Sequence, residues 1–220
     1  MINPITFPID RQASFFLEGP AGQLEVLTTY PDPETPRTPP ITAIICHPHP
    51  LFEGTLHNKV VTTLARSFHS MGLSTVRFNF RGVGKSEGEY DQGIGETNDL
   101  LAILRWLENA CPQQAVWLAG FSFGAYIAAR GAKEWPVKQL ICVAPPLENF
   151  PFKPLPPFSC PWLVIQGDKD EIVSSQDVFS WINSLENPPT LIRIKNASHF
   201  FHGHLIELRE QLITVLNNNY

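Results

Sequence analysis

Eight short apolar stretches punctuate the chain, at residues 13–17, 23–30, 41–46, 74–80, 115–119, 139–144, 162–166 and 190–194. Each has the length of a strand, and the later ones run apolar with little alternation, as strands covered on both faces do. From the third onward they alternate with stretches of helical periodicity. Residues 57–71 carry Val60, Val61, Leu64, Ala65 and Phe68 on one stripe, and residues 95–110 carry Leu100, Leu101, Leu104 and Leu107. An Ala-rich segment after Gly124, residues 174–185 and residues 203–216 complete five predicted helices. Strands alternating with helices predict an α/β fold with a mostly parallel eight-stranded sheet and helices on both faces. The first two strands read as an antiparallel hairpin. Residues 30–40, with five prolines, read as the surface loop that links it to the parallel core. No internal repeat is visible, and 220 residues suit one domain spanning 1–220.

The candidate chemistry lies at the ends of these strands. Gly120-Phe121-Ser122-Phe123-Gly124 separates the apolar run 115–119 from the Ala-rich helix. A G-x-S-x-G between a buried strand and a helix matches a nucleophile elbow: a serine on a sharp turn, with glycines where Cβ atoms would clash. Such a serine needs a base, and the base needs an orienting acid. The strand 162–166 ends in Gly167-Asp168-Lys169-Asp170-Glu171, and the strand 190–194 is followed by Asn196-Ala197-Ser198-His199-Phe200-Phe201. Serine, acid and histidine therefore occur in that order, each just past a strand, where ligands gather in open parallel sheets.

On these residues the chain resembles the α/β-hydrolases, and within them the small bacterial hydrolases without a lid that are related to dienelactone hydrolases and short-chain esterases. His47-Pro48-His49-Pro50-Leu51-Phe52 and Phe78-Asn79-Phe80-Arg81-Gly82-Val83-Gly84-Lys85-Ser86 are similar to the signature loops of that group. The resemblance implies an α/β-hydrolase fold with no cap domain, and it places the acid three residues after Gly167, on Asp170, with Asp168 its neighbour in the turn. It implies a Ser122–His199–Asp170 triad. One position departs from the pattern: relatives carry glycine where this chain has Glu53, in Phe52-Glu53-Gly54. For the oxyanion, Phe123 N–H supplies one donor. Pro48 and Pro50 have no N–H, so the second falls to His49 or Leu51, with Leu51 preferred by alignment to the related enzymes.

Larger members of the fold insert a cap between the sixth and seventh strands. Here residues 145–159 include six prolines, which cannot build a helical lid. The expected pocket is therefore open, lined by Leu51, Phe52, Phe121, Phe123 and Phe200, with Leu147 and Phe150 near. It suits a small-molecule ester with a short acyl group of about two to six carbons, since each buried methylene is worth about 0.8 kcal/mol and few can be covered. A thioesterase or lactone hydrolase, or a scaffold that binds a ligand or partner without catalysis, are the other readings. Only catalysis calls for all three triad members.

Composition narrows the rest. A formal net charge of −5 and no basic run argue against nucleic acid as a partner. Residues 1–10 lack the features of a signal peptide, and no apolar stretch nears the roughly 18 residues that span a bilayer, so no membrane partner is expected. Four cysteines without C-x-x-C spacing read as reduced packing residues of a cytoplasmic protein. Gly82-Val83-Gly84-Lys85-Ser86 lacks the first glycine of a P-loop, having Asn79 there, and an acidic turn follows it where a helix should start. Seven histidines include H-P-H-P and H-x-x-H-x-H, but no convergent ligand set is apparent, so neither a metal nor another cofactor is expected.

Overall fold

The computed structural model describes Phe7, residues 11–31 and residues 40–219. Eight strands form one sheet: β1 (Gln12–Gly19), β2 (Gly22–Thr29), β3 (Ile41–Cys46), β4 (Ser74–Phe78), β5 (Ala115–Phe121), β6 (Gln139–Val143), β7 (Trp162–Gly167) and β8 (Thr190–Ile194). Their spatial order is β1-β2-β4-β3-β5-β6-β7-β8. The hairpin β1–β2 is antiparallel and joins β4 antiparallel, while β4, β3, β5, β6, β7 and β8 run parallel. The predicted antiparallel hairpin and parallel core are thus both present. Most of the proline-rich link, residues 32–39, and most of the N-terminal segment lie outside the described residues.

Five helices cover the sheet: α1 (Lys59–Ser70), α2 (Ile94–Ala110), α3 (Phe123–Glu134), α4 (Ser175–Asn183) and α5 (Leu205–Asn219). Two apolar clusters lie on opposite faces. In one, α2, α3 and α4 contribute Leu100, Ile127 and Val178; in the other, α1 and α5 contribute Leu64, Phe68 and Leu212. Every residue of β3, β4, β6 and β7 is buried, which explains why those strands read as apolar runs, while the edge strand β1 alternates. Local signals set the helix starts. Asn58 caps α1 by accepting from Val60 N–H at 2.9 Å, and Glu96 reaches back to Gly93 N–H at 2.7 Å at the start of α2.

The winding reverses at β3. The chain moves from β3 to β4 on one side, then crosses to β5 on the other. That reversal opens a crevice at the carboxyl ends of β3 and β5, where ligands bind in open α/β sheets. Between β6 and β7, residues 144–161 contain no helix or strand, so nothing of cap-domain size covers the crevice from that side.

Candidate active site

Ser122 joins β5 to α3 at φ 54° and ψ −120°, a backbone region costly for any residue with a Cβ. The turn is held by Ser122 N–H donating to Val143 C=O at 2.8 Å and by Ala125 N–H donating to Ser122 C=O at 2.8 Å. The two flanking glycines are needed for close approach. A Cβ on Gly120 would stand 2.0 Å from Gly124 O, and one on Gly124 would stand 2.2 Å from Cys46 O. Gly124 therefore seats the start of α3 directly on the end of β3. The Phe123 N–H, at the first position of α3, has no acceptor among the described residues.

The loop after β3 is anchored by His47, whose ring is fully buried. Its Nε2 accepts from Phe80 N–H at 3.0 Å, so Nδ1 carries the proton and donates to Pro48 C=O at 2.7 Å. Burial pushes this histidine down to about 3, the Pro48 bond opposing in part, and the ring is neutral at ordinary pH. It ties the loops after β3 and β4 together.

His49 is held differently. Its Nδ1 accepts from Leu51 N–H at 3.2 Å and its Nε2 meets Tyr90 Oη at 3.1 Å. The sequence-based preference for Leu51 as second oxyanion donor meets an obstacle here, because the His49 ring already occupies that N–H. The His49 N–H itself has no acceptor among the described residues. Glu53 adopts φ 58° and ψ 20°, the left-handed conformation that glycine takes freely. The departure from the family pattern at this position thus leaves the backbone in a glycine-like state.

Asp170 and His199 meet across the loops after β7 and β8. His199 Nδ1 lies 2.9 and 3.0 Å from the two Asp170 oxygens, and both side chains are buried. Asp170 also accepts from Gln166 Nε2 at 2.9 Å, Ile172 N–H at 2.9 Å and Val173 N–H at 2.7 Å. Burial pushes the Asp170 carboxyl up, but the His199 bond and charge and these N–H groups outweigh it, so the group lies below the usual carboxylate range. An ionised Asp170 fixes the proton on Nδ1 and leaves Nε2 as the free, basic nitrogen of His199. The His199 ring centroid lies 5.0 Å from that of Phe121, the residue directly before Ser122.

Two carboxylates that flank Asp170 act on the backbone of the histidine loop. Asp168 Oδ1 accepts from Asn196 N–H at 2.6 Å, and Glu171 Oε2 accepts from His199 N–H at 3.0 Å. Glu171, Gln166 and Tyr90 were not anticipated: Glu171 and Tyr90 find distant partners through the fold, and Gln166, four residues before Asp170, belongs to no recognised motif. Arg81 binds the buried Asp99 of α2, its Nη2 2.8 Å from Oδ1.

The expected pocket residues separate into two sets. Leu51, Phe52 and Phe200 are exposed, Phe52 most of all, and can meet a ligand. Phe121, Phe123 and Leu147 are buried, and Phe121 at 0% exposure is a floor beneath His199 and Phe200 and not a wall open to solvent. Its place on β5 beside Val143 turns the ring into the apolar cluster shared with Phe201. A cavity of about 270 Å³ opens beside Phe200, lined also by Thr55, His57, Lys59 and His202.

A parallel sheet with a serine on a strained strand-to-helix turn, and an acid–histidine pair past the next strands, defines a hydrolase of the α/β class. A family model described as an alpha/beta hydrolase domain matches residues 54–211, and the chain belongs to that family. Among solved structures, an alpha-beta serine hydrolase homologue from Coxiella burnetii is 52% identical, with 93% of this chain and 97% of that one covered and a TM-score of 0.89. An a/b serine hydrolase without lid from Xanthomonas campestris is 45% identical, with 97% and 96% covered and a TM-score of 0.92. A Rickettsia prowazekii protein of uncharacterized function is 36% identical over 217 residues, 92% of this chain and 90% of that one.

Proposed function

We propose that the protein hydrolyses carboxylic esters of small substrates through a covalent acyl-enzyme on Ser122. The observation that carries this reading is the His199–Asp170 pair, which holds the proton on Nδ1 and leaves Nε2 to act as base. Ser122 Oγ attacks the ester carbonyl carbon while His199 Nε2 takes its proton. The same nitrogen then protonates the leaving alcohol as the C–O bond breaks. Water, deprotonated by His199, attacks the acyl carbon and releases the acid and Ser122. Asp170 stays ionised and stabilises the imidazolium that forms. The oxyanion is held by Phe123 N–H and a donor from the loop after β3.

His49 N–H is the better second donor, being unengaged where Leu51 N–H is not. His49 has φ −56° and ψ 126°, values a proline accepts, so His49→Pro removes the N–H while keeping the local path of the chain. His49→Ala removes only the ring. With the N–H as donor, His49→Pro is expected to lower kcat by about 10²–10³-fold beyond His49→Ala. Equal rates for the two variants, measured on one ester by folded proteins, would return the role to Leu51.

The open crevice, with no helix or strand between β6 and β7 to cover it, favours short acyl groups. Catalytic efficiency across a series of acyl esters tests this: it is expected to peak between about two and six carbons and to fall beyond, because each further methylene stays in water instead of gaining about 0.8 kcal/mol by burial. A steady rise to palmitoyl would rule the reading out. The buried free thiols of Cys46, Cys142 and Cys160 fit a reducing, cytoplasmic setting.

A further inference from the structure

Beneath α1, on the face of the sheet where β1, β2 and β4 lie side by side, a cavity of about 390 Å³ is lined by Gln12, Thr29, Arg66, His69, Arg77 and Arg209, among others. Among the described residues, none of those lining it is acidic. Three guanidinium groups and a histidine thus share one space, in a chain whose formal net charge is −5.

The centre of the cluster is Arg77 on β4. The residue is only 9% exposed, although its side chain carries a charge. One of its nitrogens, Nη1, donates to Leu56 C=O at 3.1 Å, and its Nε, closed off from solvent, has no partner among the described residues. Burial and the nearby charge of Arg66 both act against its protonated form. Neither Arg66 nor Arg209 makes an ion pair among the described residues. His69 Nε2 donates to Tyr30 C=O at 3.2 Å, leaving Nδ1 unengaged. A buried guanidinium with a like charge for a neighbour is costly unless an anion joins the cluster.

We propose that this cavity binds a phosphate group, carried by a phosphate monoester or present as inorganic phosphate, between Arg66, Arg77 and Arg209. A single carboxylate offsets one positive charge. A phosphate monoester carries about −1.5 to −2 near neutral pH, and its several acceptor oxygens suit more than one planar guanidinium fork. The cavity also has room beyond the phosphate for a small organic group. The site uses none of the residues assigned to ester hydrolysis and stands independently of that assignment.

Thermal unfolding of the full chain, titrated with sodium phosphate against sodium chloride at matched ionic strength, tests the site. Phosphate is expected to raise Tm saturably where chloride does not. Arg66→Gln and Arg209→Gln lie on exposed helix positions and should each weaken half-saturation by about tenfold, the loss of one charge-assisted bond, with ester hydrolysis unchanged. Arg77→Met should raise Tm without phosphate and abolish the response to it, a reversal of sign that a purely structural arginine would not produce. If Arg77→Met does not fold, the two glutamine variants still decide. Glycerol 3-phosphate binding more tightly than inorganic phosphate identifies a monoester site, and equal binding identifies a phosphate site. Succinate matching phosphate, a response equal to that of chloride, or glutamine variants that respond as the parent does would each overturn the proposal.

Discussion

Ser122→Ala is expected to abolish labelling by a fluorophosphonate and to lower ester turnover by roughly 10⁵–10⁶-fold, the scale seen when a triad nucleophile is removed. What remains would be catalysis by the oxyanion donors and binding alone. The fold should survive, because the Ser122 side chain makes no capping bond to α3. The turn is held instead by the backbone bonds to Val143 and Ala125 and by the close approach at Gly120 and Gly124. Stability is expected to change by less than about 1 kcal/mol. A folded Ser122→Ala protein that keeps a tenth of the parent's turnover would remove the acyl-enzyme mechanism from consideration.

Asp170→Asn should lower kcat by about 10⁴-fold, as loss of the orienting acid does in other triads. The local bonds explain why. Oδ1 receives two backbone N–H groups, from Ile172 and Val173, so the single oxygen of an asparagine must take that place. Its NH₂ then stands where Oδ2 was, facing the Gln166 amide and the His199 ring. A donor there draws the His199 proton onto Nε2, and that nitrogen can no longer accept one from serine. The pH dependence has a definite sign. Because the folded carboxyl is depressed, its contribution to stability is present above the ordinary aspartate range and is lost as pH falls through the folded pKa. The parent should therefore lose this contribution only in strong acid, and Asp170→Asn should lack that limb of the acid unfolding curve. Asp168→Asn serves as the comparison. It weakens one bond, to Asn196 N–H, and should cost about tenfold or less. A larger effect at position 168 than at 170 would reverse the assignment.

The elements that were legible in the sequence are those with a local signal. Buried parallel strands announce themselves as apolar runs, and five helices announce themselves by stripe or composition. Ser122, the two aspartates and His199 were set at strand ends by their order, since parallel strands leave the following loops on one edge, while the choice of Asp170 over Asp168 came from the family resemblance. What escaped, Gln166 apart, was set by partners distant in the chain. Tyr90 meets His49 across 41 residues and His199 N–H meets Glu171 across 28, and no periodicity marks either. Phe121 was expected in the pocket for its nearness to Ser122. Successive strand residues face opposite sides of the sheet, so nearness in sequence to Ser122 does not decide where the Phe121 ring points, and it packs into the apolar cluster. The choice between His49 and Leu51 depended on where the His49 ring points, which composition does not encode.

The stitching between the loops after β7 and β8 bears on how this chain could be rebuilt. Asp168 N–H donates to Ile194 C=O, Lys169 N–H to Ala197 C=O, Asn196 N–H to the Asp168 carboxylate and His199 N–H to the Glu171 carboxylate. The histidine is thus registered to its acid by side-by-side strands, not by the crossover that joins them through α4. That crossover passes through Glu186, Asn187 and Pro188, all solvent-facing. A graft of foreign peptide there, or new chain ends made by circular permutation, leaves every one of those stitches in place. The covalent path between Asp170 and His199 is expected to be expendable, and their shared sheet edge is not.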